Sequence, residues 1–313
     1  MYLLAPSMRR IARLLFAILF IAAPAFAAEK KTAAPAKKPA PAKTERKAEA
    51  PGVAKPFPVD EHDANVFPFV DAQSAILCDA ATGKVLYEKN ADDQRGVAST
   101  QKLMTALIVA EEGGLEDNVK VAAGDSDCEP SKLGLKEGEV YKRYDLLKVM
   151  LVKSENDVAR CLARDNAGSI DAFAAKMNAK ARTLGMRNSN FVNPNGLTAP
   201  GQGSTARDMA RLALFVYRNR VLRGIISTRV LAWKTPSGKT MVFENTNKLL
   251  KSFGLCNGMK TGYTDAAGNC LVASASSGGK HVICVVLGDK HREGIWNDSY
   301  RLLNWGLNQL GHE

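Results

Sequence analysis

Apolar and polar positions along this chain follow two different periods, and the switch between them marks its elements. Gln73-Ser74-Ala75-Ile76-Leu77-Cys78-Asp79 and Lys84-Val85-Leu86-Tyr87-Glu88 flank the turn Ala80-Ala81-Thr82-Gly83, which predicts a β-hairpin. Near the other end, Cys270–Ser276 and His281–Leu287 flank Ser277-Gly278-Gly279-Lys280 in the same way. Between these hairpins the spacing becomes helical. Leu103, Met104, Ala106, Leu107 and Ala110 continue a helix that begins near Ser99 and stops at Gly113-Gly114. Further helices are expected within Asp145–Thr183, over Thr205–Tyr217 and over Asp298–Leu310. Strand pairs at both ends of a helical middle predict an α+β fold. One antiparallel sheet would be built from both ends and packed on the Ser99 helix and the last helix, while the middle forms a mostly helical lobe. A cleft is expected between the two parts.

The first 58 residues stand apart. Met8-Arg9-Arg10-Ile11-Ala12-Arg13, an apolar run from Leu14 to Ala23, and Ala25-Phe26-Ala27 form the basic start, short apolar core and small-x-small end of a signal peptide over residues 1–27. The run is short for a membrane span of about 20 residues, although an uncleaved anchor is the alternative. Residues 28–58 are almost all Ala, Lys, Pro and Glu, so they form no core and are expected to be a disordered linker. Residues 59–313 are then the folded domain, long enough for one unit with a substantial core.

That division also accounts for the charge. The chain carries a formal net charge of +11, of which only +3 belongs to residues 59–313. Nucleic acid is not an implied partner. Six cysteines (Cys78, Cys128, Cys161, Cys256, Cys270, Cys284) permit disulfides in an exported chain. Their placement in apolar strand and helix runs favours mostly free, structural thiols. The four histidines (His62, His281, His291, His312) have no metal-ligand spacing with one another or with the cysteines, so neither a metal nor a cofactor is expected.

Three short motifs carry the chemistry: Ser99-Thr100-Gln101-Lys102, Ser154-Glu155-Asn156 and Lys260-Thr261-Gly262. On a helix, Ser99 and Lys102 share one face, one turn apart, so an amine can activate a hydroxyl that is otherwise a poor nucleophile. Ser99 in a first helical turn also has free backbone N–H groups at hand for a developing oxyanion. Lysine accepts a proton only when its pKa is lowered, by burial or by a nearby like charge such as Lys260. Ser154 and Asn156, two apart at a junction between helices, can both turn into a cleft. Alone they read equally well as helix caps. Lys260 and Gly262 share one face of a strand, with Gly262 permitting close approach of a substrate backbone. Each motif alone has an ordinary reading, but their order and wide spacing together do not.

With these motifs the chain resembles the serine penicillin-binding enzymes, for which S-x-x-K, S-D-N and K-T-G are the signature set. It is most similar to the low-molecular-weight D-alanyl-D-alanine carboxypeptidases and their soluble D,D-endopeptidase relatives. The likeness extends over Phe67 to Trp305 and includes Asn193-Pro194-Asn195-Gly196-Leu197, Thr205-Ala206-Arg207-Asp208-Met209-Ala210 and Met259-Lys260-Thr261-Gly262-Tyr263-Thr264. The resemblance implies the penicillin-binding/β-lactamase-like transpeptidase fold and an acyl-enzyme on Ser99, with Lys102 as base. It further implies Ser154 as proton relay, Asn156 on the substrate amide, Lys260 either paired with the substrate carboxylate or tuning Lys102, and Thr261 and Gly262 among the substrate-binding residues. The N–H groups of Ser99 and Tyr263 would form the oxyanion hole. Implied partners are peptidoglycan stem peptides, with β-lactam antibiotics as covalent inhibitors, in the periplasm or outside the cell.

Three departures stand out. Glu155 occupies a place where many of the carboxypeptidases have Gly, and the endopeptidases often share this Ser-Glu-Asn. Tyr263 replaces the His of some members. Arg292 is the nearest candidate for the arginine expected at the substrate carboxylate, displaced by a few residues. The chain also stops after its last helix, without the C-terminal β-rich domain and amphipathic anchor of many carboxypeptidases. No stable membrane anchor is therefore expected after signal cleavage, and the endopeptidase reading gains weight. A β-lactamase is disfavoured because no Glu-x-x-Leu-Asn stretch is present. A penicillin-binding sensor without turnover is the non-enzymatic alternative.

Overall fold

The computed structural model describes residues 67–311. The expected signal segment (1–27), the linker (28–58), His62 and His312 lie outside the described residues. The described chain opens with strands β1 (Ser74–Asp79) and β2 (Val85–Lys89). A short 3-10 turn, Ala98–Gln101, leads into helix α1 (Lys102–Glu112), which stops at Gly113 with φ +82°. Short strands β3 (Asn118–Lys120) and β4 (Val140–Lys142) then pair with each other. The helical middle follows: α2 (Arg143–Lys153), α3 (Asn156–Ala167), α4 (Ile170–Thr183), α5 (Ala206–Arg218) and α6 (Arg220–Ile226). A second hairpin, β5 (Val230–Lys234) and β6 (Thr240–Glu244), and the single turn α7 (Leu249–Ser252) return the chain to the sheet. Strands β7 (Cys256–Thr264), β8 (Gly268–Ser277) and β9 (Lys280–Asp289) and helix α8 (Gly294–Gln309) complete it.

The main sheet runs β2-β1-β9-β8-β7 and is antiparallel throughout. β1 pairs with β9 from Ser74↔Leu287 to Asp79↔Val282, which joins the two ends of the fold. Side-chain alternation explains why the central strands read as unbroken apolar runs. Ile76, Cys78, Cys270, Val272, Ile283 and Val285 face one core with α1, α2 and α5. Leu77, Leu271, Ala273, Cys284 and Val286 face the opposite core, against Ile295, Trp296, Leu302 and Leu303 of α8. A sheet covered on both faces needs apolar residues at every position. The α+β expectation is met, with the sheet assembled from both ends and α1 and α8 on opposite faces.

The boundaries differ in instructive ways. α8 begins at Gly294, four residues before the expected Asp298. Gly294 reads as a breaker locally, whereas burial of Ile295 and Trp296 against the sheet extends the helix over it. The helical middle is three helices across 143–183, broken at Ser154-Glu155 and at Gly168-Ser169. Ser169 caps α4 by accepting from Ala172 N at 3.1 Å. The two small hairpins have no counterpart in the sequence-based expectations. Each buries only one side of strands three to five residues long, too brief for a strong alternation signal. Trp233 of β5 is nonetheless buried, stacked on Tyr141 of β4 at 5.3 Å between ring centroids.

Candidate active site

The turn that carries Ser99 is strained at its first residue. Ala98 has φ +47°, a left-handed conformation unusual for a residue with a Cβ. The chain then makes one 3-10 turn and enters α1 at Lys102, whose side chain is fully buried. Lys102 Nζ lies 2.7 Å from Ser99 Oγ, 2.7 Å from Asn156 Oδ1 and 2.7 Å from the backbone oxygen of Asn195. Burial, and next the charge of Lys260, hold this amine well below the ordinary lysine range. An uncharged amine has two protons and one lone pair. Asn156 Oδ1 and the Asn195 carbonyl can only accept, so they take the two N–H groups. Such an amine would leave its lone pair facing Ser99 Oγ and accept the hydroxyl proton there, whereas a charged one donates to that oxygen.

α1 is also stapled to the segment 193–195 along three consecutive carbonyls. Gln101 Nε2 donates to Asn193 O at 2.5 Å, Thr105 Oγ1 to Pro194 O at 2.7 Å and Lys102 Nζ to Asn195 O. Gly196 follows with φ +86°, and any Cβ there would overlap the Ala98 carbonyl. The Asn195 carbonyl is a site group that the sequence-based reading did not identify. Asn193-Pro194-Asn195-Gly196 signals a turn, but nothing local says which side chain its carbonyls meet.

The second motif occupies the break between α2 and α3. Ser154 ends α2 in the left-handed region at φ +76° and Glu155 is extended, so α3 starts at Asn156 on a new axis. The Asn156 carboxamide is fixed at both ends: its oxygen accepts from Lys102, and its Nδ2 donates to Pro130 O at 2.6 Å. One Asn156 N–H stays available. Ser154 is half-buried beside it, and its hydroxyl has no hydrogen-bond partner among the described residues. Glu155 is buried, and burial pushes its carboxyl upward; Lys153, Lys102 and Lys260 oppose that shift.

The third motif lies on β7, an end strand of the main sheet. Lys260 is fully buried, its ammonium donating to Thr261 O at 3.0 Å. Burial brings it down to about 7, with the Glu155 carboxylate opposing. The site thus holds two buried lysines, and the charge of Lys260 adds to burial in lowering Lys102. Thr261 Oγ1 donates to Thr246 Oγ1 at 2.7 Å, and Thr246 N donates to Val152 O at 3.1 Å, which ties β7 to the end of α2. A Cβ at Gly262 would stand 2.8 Å from Ser99 N and 2.9 Å from Thr100 N. Only glycine lets the strand run this close to the nucleophile's turn. Tyr263 turns its side chain outward, its hydroxyl donating to Asp265 Oδ1 at 2.8 Å.

Arg292 is not drawn into this cluster. It is exposed in the turn between β9 and α8, and no hydrogen bond among the described residues joins it to Ser99, Lys102, Asn156 or Lys260. All six cysteines are free thiols, five of them buried. Among the described residues, no group of three or more His, Cys, Asp or Glu could hold a metal ion, and no helix is long and apolar enough to cross a membrane.

A family model described as D-alanyl-D-alanine carboxypeptidase matches residues 61–291. The chain belongs to that family. One relative in the D-alanyl-D-alanine carboxypeptidase family is DacC of Escherichia coli, 40% identical over 257 residues that make up 77% of this chain and 62% of DacC. A D-alanyl-D-alanine endopeptidase of Pseudomonas aeruginosa is 35% identical over 238 residues, 74% of this chain and 76% of that protein. The crystal structure of a D-alanyl-D-alanine carboxypeptidase from Mycobacterium tuberculosis superposes with a TM-score of 0.74 at 31% identity. It covers 78% of this chain and 93% of its own. The expected penicillin-binding fold is therefore the observed one. The chain spans 62% of the length of DacC and 57% of that of the Bacillus subtilis carboxypeptidase DacF.

Proposed function

We propose that this chain is a serine-type D-Ala-D-Ala carboxypeptidase of peptidoglycan stem peptides. The observation that carries the reading is the fully buried Lys102 amine 2.7 Å from Ser99 Oγ, with its other contacts limited to acceptors. Lys102 takes the Ser99 proton as the oxygen attacks the carbonyl of the penultimate D-alanine. The N–H groups of Ser99 and Tyr263 receive the oxyanion; one such donor is worth about 3–4 kcal/mol in related acyl transfers. Collapse breaks the C–N bond. The proton held on Lys102 passes through the Ser154 hydroxyl to the leaving amine, and terminal D-alanine departs. Water, deprotonated by Lys102, then cleaves the ester and restores Ser99.

The remaining Asn156 N–H holds the substrate amide, and Lys260 with Thr261 takes the terminal carboxylate. β-Lactams acylate Ser99 as covalent inhibitors. Residues 1–27 act as an export signal and residues 28–58 as a spacer, which places residues 59–313 in the periplasm or outside the cell. Nucleic acid has no part in this function.

The second reading is a D,D-endopeptidase that cuts peptidoglycan cross-links. Glu155, buried between Ser154 and Asn156, and the likeness to the Pseudomonas endopeptidase over 76% of its length favour it. Digestion of purified muropeptides with mass-spectrometric readout decides between them. Pentapeptides that lose one alanine indicate the carboxypeptidase, and dimers that fall to monomers indicate the endopeptidase.

A further inference from the structure

Asp157, one residue beyond the second motif, is fully buried, and its carboxylate accepts four backbone N–H groups. Oδ1 takes Leu133 N at 3.0 Å and Val158 N at 2.9 Å; Oδ2 takes Gly134 N at 2.8 Å and Leu135 N at 3.1 Å. Three of the four donors are consecutive residues of the connection between β3 and β4, a nest of amides wrapped around one anion. Ser131 at φ +60° and Gly134 at φ +83° bend the connection so that these amides point inward.

The same connection reaches the site two residues earlier. Asn156 N donates to Ser131 O at 2.8 Å and Asn156 Nδ2 to Pro130 O at 2.6 Å. These contacts select one of two orientations of the Asn156 carboxamide. Turned over, the group would present N–H to Lys102 where the amine now has an acceptor. The lone pair of Lys102 would then no longer be fixed on Ser99.

We infer that Asp157 is a positioning residue: by anchoring Leu133–Leu135 it holds Pro130 and Ser131 in place, and through them it aims Asn156 at Lys102. This role rests on the acylation reading proposed above. Asp157 touches neither substrate nor the reacting atoms, so its effect must pass through Asn156. A residue needed only for folding would act independently of Asn156.

A double-mutant cycle separates these cases. Acylation by a fluorescent penicillin is measured for wild type, Asp157→Asn, Asn156→Ala and the double variant, each rate scaled by the native fraction from near-UV circular dichroism. The carboxamide of Asp157→Asn sets two donors against backbone donors. Alone, it is expected to slow acylation about tenfold to a hundredfold. Added to Asn156→Ala, it should change the rate less than about twofold, because the path it acts through is already gone. Hydrogen exchange at Leu133–Leu135 should quicken in Asp157→Asn. Additive losses, or an unchanged rate per native molecule, would overturn the inference. If Asp157→Asn does not fold, Gly134→Ala strains the same connection from its open side and enters the same cycle, with the same outcomes. A wild-type chain that takes no label would remove the enzyme reading itself, and the positioning role with it.

Discussion

Lys102 Nζ and Ser99 Oγ stand 2.7 Å apart one turn from each other, and the amine's other two contacts are oxygens that can only accept. A charged lysine in this place would use all three protons as a donor and leave the hydroxyl without a base. An uncharged one has a single lone pair, and it faces the hydroxyl. The chemistry follows from that difference in proton count.

Ser99→Ala should abolish covalent labelling by a fluorescent penicillin, since no oxygen remains to form the ester. The variant should melt within about 1 kcal/mol of wild type, as the hydroxyl makes only the contacts to Lys102 and Asn195. Persistent labelling on a gel would put the nucleophile at another residue.

Lys102→Ala should slow acylation by about a hundredfold to ten-thousandfold, the range for losing a general base. Circular dichroism should still report the native fold. A variant that acylates at the wild-type rate would show that something else takes the Ser99 proton.

Acylation should fall on the acid side as Lys102 becomes protonated. Because burial and Lys260 lower its pKa, that limb should lie well below the free-lysine value of about 10.4. The measurement is the second-order acylation rate against pH. A limb near the free value, or a rate constant down to about pH 5, would contradict an uncharged Lys102.

Lys260→Met should stabilise the protein while impairing acylation. Burial lowers Lys260 to about 7 in the fold, below the value of about 10.4 for a lysine in an unfolded chain. Between those values the unfolded chain binds more protons, so stability rises with pH across that window and the cost of the buried cation is complete below it. The gain in Tm should therefore be larger at pH 6 than at pH 9, about 3 °C or more at the lower pH. Equal gains at both would mean that Lys260 is not held down by burial.

Gly262→Ala should cost about tenfold or more in acylation, with little change in secondary structure. Its added methyl would stand 2.8 Å from Ser99 N and would move the turn that carries the nucleophile. An unaltered rate would mean that the strand gives way instead of the turn.

Some of this was legible residue by residue. The hairpins at 74–89 and 268–289 and the helix after Ser99 follow from period and turn chemistry, which are local. The start of α8 was not, because Gly294 argues against helix locally and only the sheet beneath Ile295 and Trp296 argues for it. The small hairpins at 118–142 and 230–244 were missed because their strands are short and only half covered. In the site, the Ser99–Lys102 pair needs only a helical turn, so its spacing announces it. Asn195, Thr246 and Asp157 contribute through a backbone carbonyl, a hydroxyl held by another hydroxyl, and a nest of amides. None of these contacts has a sequence spacing.

What the chain of residues determined alone was the chemical inventory and its local supports: a hydroxyl and an amine one turn apart, a serine and an asparagine at a helix break, and a lysine and a glycine on a strand. What only the tertiary structure decided was the state of that inventory. Burial lowers the pKa of Lys102 well below the ordinary lysine range, Lys260 adds its repulsion across a gap of 158 positions, and the carbonyl of Asn195 and the amide oxygen of Asn156 accept from the amine. Proton affinity depends on what surrounds a group in space, and that surrounding exists only once distant segments have packed together.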